Sequence, residues 1–191
     1  SSKLMAELSG PRTSARRMPT SRHNRLARGS SSVCPSDREV STAASPVDDT
    51  AKPADLVLHA SAVAIDGSGA LITGPSGAGK SALALQLMAL GATLVADDGV
   101  LLRRRGDALV ALAPASIRGL IEARGIGLLP AQTLESAPLS LVIDLAKTEI
   151  RRLPPARTIC LLGMTLPLLH KVESAHFPAA VVVYLRGVGS T

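Results

Sequence analysis

The sequence predicts an α/β fold, a mixed β-sheet with a helix placed directly behind a glycine-rich loop. Three observations carry this expectation. Residues 56–65, "LVLHASAVAI", form a β-rich run, and "ALIT" (70–73) repeats the character after the turn residues "DGSG". The loop "GPSGAGKS" (74–81) follows at once. Beyond it Leu83, Leu87 and Leu90 recur at helical spacing, and Gly91 stands where a left-handed residue ends a helix. Strand, loop, helix and a further strand in succession are the pattern of packed α/β layers.

Taken in order, residues 56–65 read as one extended run and residues 66–69 as a turn, since Asp-Gly tolerates positive φ. Residues 80–90 read as a helix. "ATLVADD" (92–98) reads as a strand ending in two carboxylates, and residues 99–114 as a hairpin whose charged tip carries Arg103, Arg104 and Arg105. Residues 116–131 are glycine-punctuated. "LSLVIDLA" (139–146) and "RTICLLG" (157–163) are short, aliphatic strand candidates. For residues 174–187 the run "AAVVVYL" fits helix and strand equally.

Composition narrows the classes. Hydrophobic residues make up 46% of the 191, yet there is one Phe, one Tyr and no Trp. The core must be aliphatic, and a single-strand nucleic-acid binder built on aromatic platforms is excluded as a leading idea. The net charge of +6 is concentrated in residues 1–54, which carry 9 Lys/Arg against 5 Asp/Glu. The remainder is nearly balanced, so no nucleic-acid partner is expected. Residues 1–53 are rich in Ser and Arg without periodicity and are expected to be a disordered tail, leaving residues 54–191 as the folded domain. No apolar run approaches the roughly 18 residues of a membrane span, which suggests a soluble, cytoplasmic protein with no membrane partner.

The loop fits the spacing G-x-x-x-x-G-K-[ST] of a P-loop. Gly74, Pro75, Ser76, Gly77, Ala78, Gly79, Lys80 and Ser81 are therefore assigned to nucleotide binding. The glycines let main-chain N–H groups reach phosphate oxygens, Lys80 meets the β- and γ-phosphates, and the Ser81 hydroxyl suits Mg²⁺. Asp97 and Asp98 then suit proton transfer and metal binding, one accepting a proton while the other orients it; a polar turn capping a strand is the plainer alternative. Glu122 and Arg124 share one face if they lie on a strand, and suit Mg²⁺ and phosphate respectively; a surface ion pair explains them as well. His59 is a lone histidine on the first strand. Asp144, in "LVIDL", ends an apolar run as a metal-binding acid does and competes with the aspartate pair.

Together, "HASAVAI", "GALITGPSGAGKSALALQLMALGATLVADDGV" and "GLIEARGIGLL" resemble HPr kinase/phosphorylase. These bacterial enzymes phosphorylate a serine of HPr, the phosphocarrier protein of the sugar phosphotransferase system. The resemblance is close over residues 56–130 and loose beyond, and the chain looks like a short form made of the kinase domain. It implies a P-loop kinase fold, ATP and Mg²⁺, an HPr-like partner protein and a homo-oligomer. It implies further that Asp97 is the acid/base carboxylate with Asp98 beside it, that Ser81 and Glu122 hold Mg²⁺, and that Lys80 binds phosphate. Arg124 falls in the signature stretch, and His59 matches an active-site histidine near the carboxylates. Asp144 lies outside these motifs and becomes structural. The chain departs from the family in having Ala123 where a larger aliphatic is common, and in lacking a Gly-Arg-Asn stretch. Beside the protein serine kinase, with a phosphorylase activity in reverse, two other functions remain: a small-metabolite P-loop kinase using Asp144, and a nucleotide-sensing binding module.

Overall fold

The computed structural model describes residues 55–114 and 119–188; the expected tail at residues 1–53 lies outside the described residues. The run at 56–65 is two strands rather than one, β1 (Leu56–Leu58) and β2 (Ser61–Ile65). The break at residues 59–60 sends the halves to different neighbours: β1 pairs with β5 (Val100–Arg105), and β2 with β3 (Ser68–Thr73) and β4 (Thr93–Ala96). Asp66 and Gly67, both at positive φ, close the β2–β3 hairpin as a two-residue turn, with Ile65 opposite Ser68. Turns of that backbone match the natural twist of the flanking strands.

Helix α1 (Lys80–Ala89) follows the loop as expected. Its C-terminus is closed by Gly91 at φ 100, with Gly91 N–H donating to Met88 O and Ala92 N–H to Leu87 O. These two hydrogen bonds satisfy two of the last carbonyls of the helix. Leu83 and Leu87 are buried with Ala84, whereas Leu90 sits at the cap and is exposed, so the packing stripe is one residue shorter than the spacing suggests.

The hairpin at 99–114 is β5 with β6 (Ala108–Leu112), turning at Gly106 and Asp107. Arg103, assigned to the solvated tip, instead makes a two-pronged ion pair with Asp55. A separate two-stranded sheet, β7 (Leu120–Ala123) with β8 (Gly127–Pro130), forms the glycine-punctuated stretch. β9 (Ser136–Thr148) is the spine of the main sheet: it runs parallel to β3 on one side, and pairs with β6 and then β11 (Met164–Lys171) along the other. β10 (Thr158–Leu161) flanks β11. The order β1-β5-β6-β9-β3-β2-β4, with two parallel pairings among antiparallel ones, is the mixed α/β sheet the sequence predicts. α2 (Phe177–Val188) resolves the ambiguous C-terminal run as helix.

β-Alternation divides the core in two. Val63, Ile65, Ile72, Leu141 and Ile143 pack beneath α1 and α2, while Ala62, Ala64, Leu71 and Val142 face the opposite side, against Leu102, Leu109 and Ala111. Apart from Phe177, both cores are aliphatic, as composition requires. At Gly69, a Cβ would lie 2.6 Å from Pro138 O, so only glycine lets β3 run this close to β9. That contact fixes β3, and β3 delivers the loop.

Candidate functional site

The loop is built for an anion. Gly74, Gly77 and Gly79 all have positive φ, and a Cβ on Gly74 would press on Leu145 and Ala78 at 3.1 and 3.2 Å. Nothing lies within 4 Å of where a Cβ on Gly77 or Gly79 would be, so space above the loop is open. α1 has Gly79 as its N-cap, no side-chain cap and no acidic residue in its first turn. Its first N–H groups are therefore available, and the helix dipole adds partial positive charge there. Lys80 is 7% exposed, and its ammonium donates to Gly74 O (3.0 Å) and Pro75 O (3.2 Å). Among the described residues none of its bonds goes to a carboxylate, which leaves a buried cation curled against the loop.

β4 stops at Ala96, and the two aspartates that follow part company. Asp97 is 4% exposed and accepts three hydrogen bonds. Ser61 Oγ and Ser81 Oγ donate to Oδ1 at 2.5 and 2.9 Å, and Glu122 N–H donates to Oδ2 at 3.2 Å. Four segments thus meet on one carboxylate: β2, the loop helix, β4 and the β7–β8 hairpin. Leaving such a buried acceptor without a donor costs about 1–3 kcal/mol. Asp98 has φ 64 and a side chain 79% exposed. His59, in the break between β1 and β2, places Nδ1 at 3.0 Å from both Asp98 O and Asp98 Oδ1.

A cavity of about 370 Å³ joins these groups. His59, Asp98, Glu122 and Arg124 line it opposite Gly77, Lys80 and Ser81. Asp97 is not on the wall but directly behind Ser81. β7 ends at Ala123, so Arg124 lies in the turn rather than sharing a strand face with Glu122; both nevertheless reach the cavity. β7 is carried there because Ile121 and Ala123 are buried, Ile121 in the core beneath α1, and turn Glu122 outward. Asp144, the competing acid, lines no part of this cavity, and its Oδ1 accepts from Ala146 N–H at 2.9 Å, a local contact within β9.

Among the described residues no group of three or more His, Cys, Asp or Glu could hold a metal by itself. The Ser81 hydroxyl beside the Asp97 carboxylate, with Glu122 nearby, offers hard oxygens but too few for a closed cage. That partial set fits Mg²⁺, which keeps waters and takes phosphate oxygens alongside one or two carboxylates. Ser61 is the residue that sequence reasoning missed. Its one signal was a hydroxyl inside an apolar strand, two residues after His59.

Comparison with known proteins points to one family. Residues 51–151, more than half the chain, match the family described as HPr Serine kinase C-terminal domain. The HPr kinase/phosphorylase of an Exiguobacterium species is 46% identical over 96 residues, covering 46% of this chain and 31% of that protein. HPr kinase/phosphorylase 1 of Oceanobacillus iheyensis is 38% identical over 133 residues, covering 65% of this chain and 41% of the relative. The chain thus spans about a third of the length of the curated relatives it matches. The solved structure of the HPr(Ser) kinase/phosphatase from Coxiella burnetii superposes with a TM-score of 0.60 at 26% identity, over 70% of this chain and 95% of that one.

Proposed function

The chain belongs to the HPr serine kinase C-terminal domain family, and from that premise we propose that it is an ATP-dependent protein serine kinase acting on an HPr-like phosphocarrier protein. The observation that carries the reading is the sharing of one cavity: the phosphate loop faces Asp98 and His59 across it, with Asp97 buried behind Ser81. Lys80 and the first N–H groups of α1 hold the β- and γ-phosphates. Ser81, Asp97 and Glu122 would hold Mg²⁺, which when bound would offset phosphate charge. The serine oxygen attacks the γ-phosphorus, the bond to the β-phosphate oxygen breaks, and ADP leaves.

The serine proton goes to Asp98. The resemblance pointed to Asp97 for this step, but Asp97 is enclosed by three donors, whereas Asp98 opens onto the cavity that admits the acceptor. His59 holds the Asp98 carboxylate toward the cavity through Nδ1. Arg124, which lines the same cavity, steadies the transferring phosphoryl group. Within this proposal residues 54–191 form the catalytic unit.

The test is incubation with γ-labelled ATP and a purified HPr-like protein. Label on a serine of the acceptor is the expected result. Label confined to a small molecule favours a metabolite kinase, and ATP bound but intact favours a nucleotide-sensing module; either outcome overturns the proposal.

A further inference from the structure

A second cavity, about 470 Å³, opens on the other side of the phosphate loop. It shares only Gly79 and Ala82 with the first, and so begins where the loop becomes α1. One wall is Gln86 on α1, one turn beyond Ala82; the facing wall is the connection from β11 to α2, with Lys171 and Glu173. Its floor is apolar, made by Leu83, Leu145 and Phe177. The Lys171 ammonium meets Glu173 Oε1 at 2.6 Å on the rim.

A triphosphate gripped by the loop has two ends. The γ end belongs in the first cavity, where Asp98, His59 and Arg124 stand and where the acceptor hydroxyl must enter. The other end has to leave across Gly79 and Ala82. Nothing lies within 4 Å of where a Gly79 Cβ would be, and Ala82 carries only a methyl, so that passage is clear. What lies beyond it has the chemistry of a nucleoside site: an apolar floor for the faces of a base, and a rim of donors and acceptors for its edge and the ribose. Its volume falls within the roughly 300–1,000 Å³ of small-ligand sites.

We propose that the cleft between α1 and the β11–α2 connection receives the base and ribose of the nucleotide, with the phosphates reaching it over Gly79 and Ala82. This rests on the kinase reading for its nucleotide, and deepens it by giving the two halves of that nucleotide separate cavities. It also gives the C-terminal segment a binding role, although the segment lies outside the family match at residues 51–151.

The test uses two probes on the full chain, Mg-ADP and Mg-pyrophosphate, with binding measured by calorimetry. Pyrophosphate occupies the loop without needing the cleft. Gln86→Trp fills the cleft from α1, because a helical side chain leans toward the N-terminus and lies over Ala82. Glu173→Trp fills it from the facing wall. Both positions are exposed, so the fold should tolerate either change. The expected result is a loss of ADP affinity of about tenfold or more in either variant, with pyrophosphate affinity unchanged. ADP affinity equal to wild type in both variants would overturn the proposal and leave the kinase reading standing. Equal losses for ADP and pyrophosphate would overturn it too, since the cleft would then act only through the loop. A wild-type chain that binds neither probe would remove the kinase reading along with it.

Discussion

The inner and outer halves of the site are made of the same residue types in opposite surroundings. Inside, Lys80 and Asp97 are buried: Lys80 donates two hydrogen bonds to loop carbonyls, and Asp97 accepts from Ser61, from Ser81 and from the Glu122 main chain. Outside, Asp98, His59, Glu122 and Arg124 line an open cavity, and among the described residues only Asp98 and His59 of these four hold one another. Asp97 and Asp98 are consecutive in sequence, yet one is 4% exposed as a residue and the other has a side chain 79% exposed. A buried carboxylate held by three donors is fixed in place and costly to disturb. An exposed one is accessible to a substrate proton. Under the proposed mechanism, burial assigns holding to one of two neighbouring acids and reacting to the other.

The predictions follow from that division, the largest first. Asp98→Asn should lower the rate of phosphoryl transfer by about 10²–10⁴-fold, the usual contribution of a general base, while the melting temperature stays put; a transfer assay beside a thermal melt reads both. On the inner side, Lys80→Ala should weaken ADP binding by about 10- to 100-fold, as expected for losing charge-assisted bonds, and calorimetry measures it. Ser61→Ala should cost about 1–3 kcal/mol of stability by taking a donor from buried Asp97, seen in denaturant unfolding. If Ser61→Ala changes rate without stability, the inner half is not the structural half.

Glu149, which lines no part of the catalytic cavity, is a control. Its carboxyl is held below the usual carboxylate range, first by the Arg151 main-chain N–H and then by Arg157, against the burial that pushes it up. A carboxyl lowered on folding contributes stability above its unfolded pKa and loses it as pH falls through the folded value. Wild type should therefore exceed Glu149→Gln in stability at neutral pH, and the gap should close on acidification below about pH 4. Melts across pH check it, and transfer activity at neutral pH should be equal in the two proteins.

Much of the inner half was legible because local chemistry dictates it. The loop spacing needs no distant partner to be read, nor does the Asp66–Gly67 turn or Gly91 at the helix end. The fold class followed from those signals. Other features depend on what packs against them. The single run at 56–65 splits at residues 59–60 because β1 and β2 pair with different strands, which no property of that run discloses. β11 was not anticipated: Pro167 interrupts the strand pattern, and it is tolerated where the pairing passes from β10 to β9. α2 became a helix because Phe177, Val181, Val182 and Leu185 share one buried face. At the site itself, sequence brought Asp97 and Asp98 to the phosphate loop but could not tell which of them turns inward. That depends on Ser61 and on the Glu122 N–H, 36 and 25 residues away.

The most direct measurement is Mn²⁺ binding in the presence of ADP, followed by electron paramagnetic resonance, in the wild-type, Asp97→Asn and Asp98→Asn proteins. With Asp97 as the inner metal carboxylate and Asp98 as the proton acceptor, Asp97→Asn loses Mn²⁺ affinity and Asp98→Asn keeps that of the wild type. The reverse pattern, or equal losses in both, would contradict the division of roles.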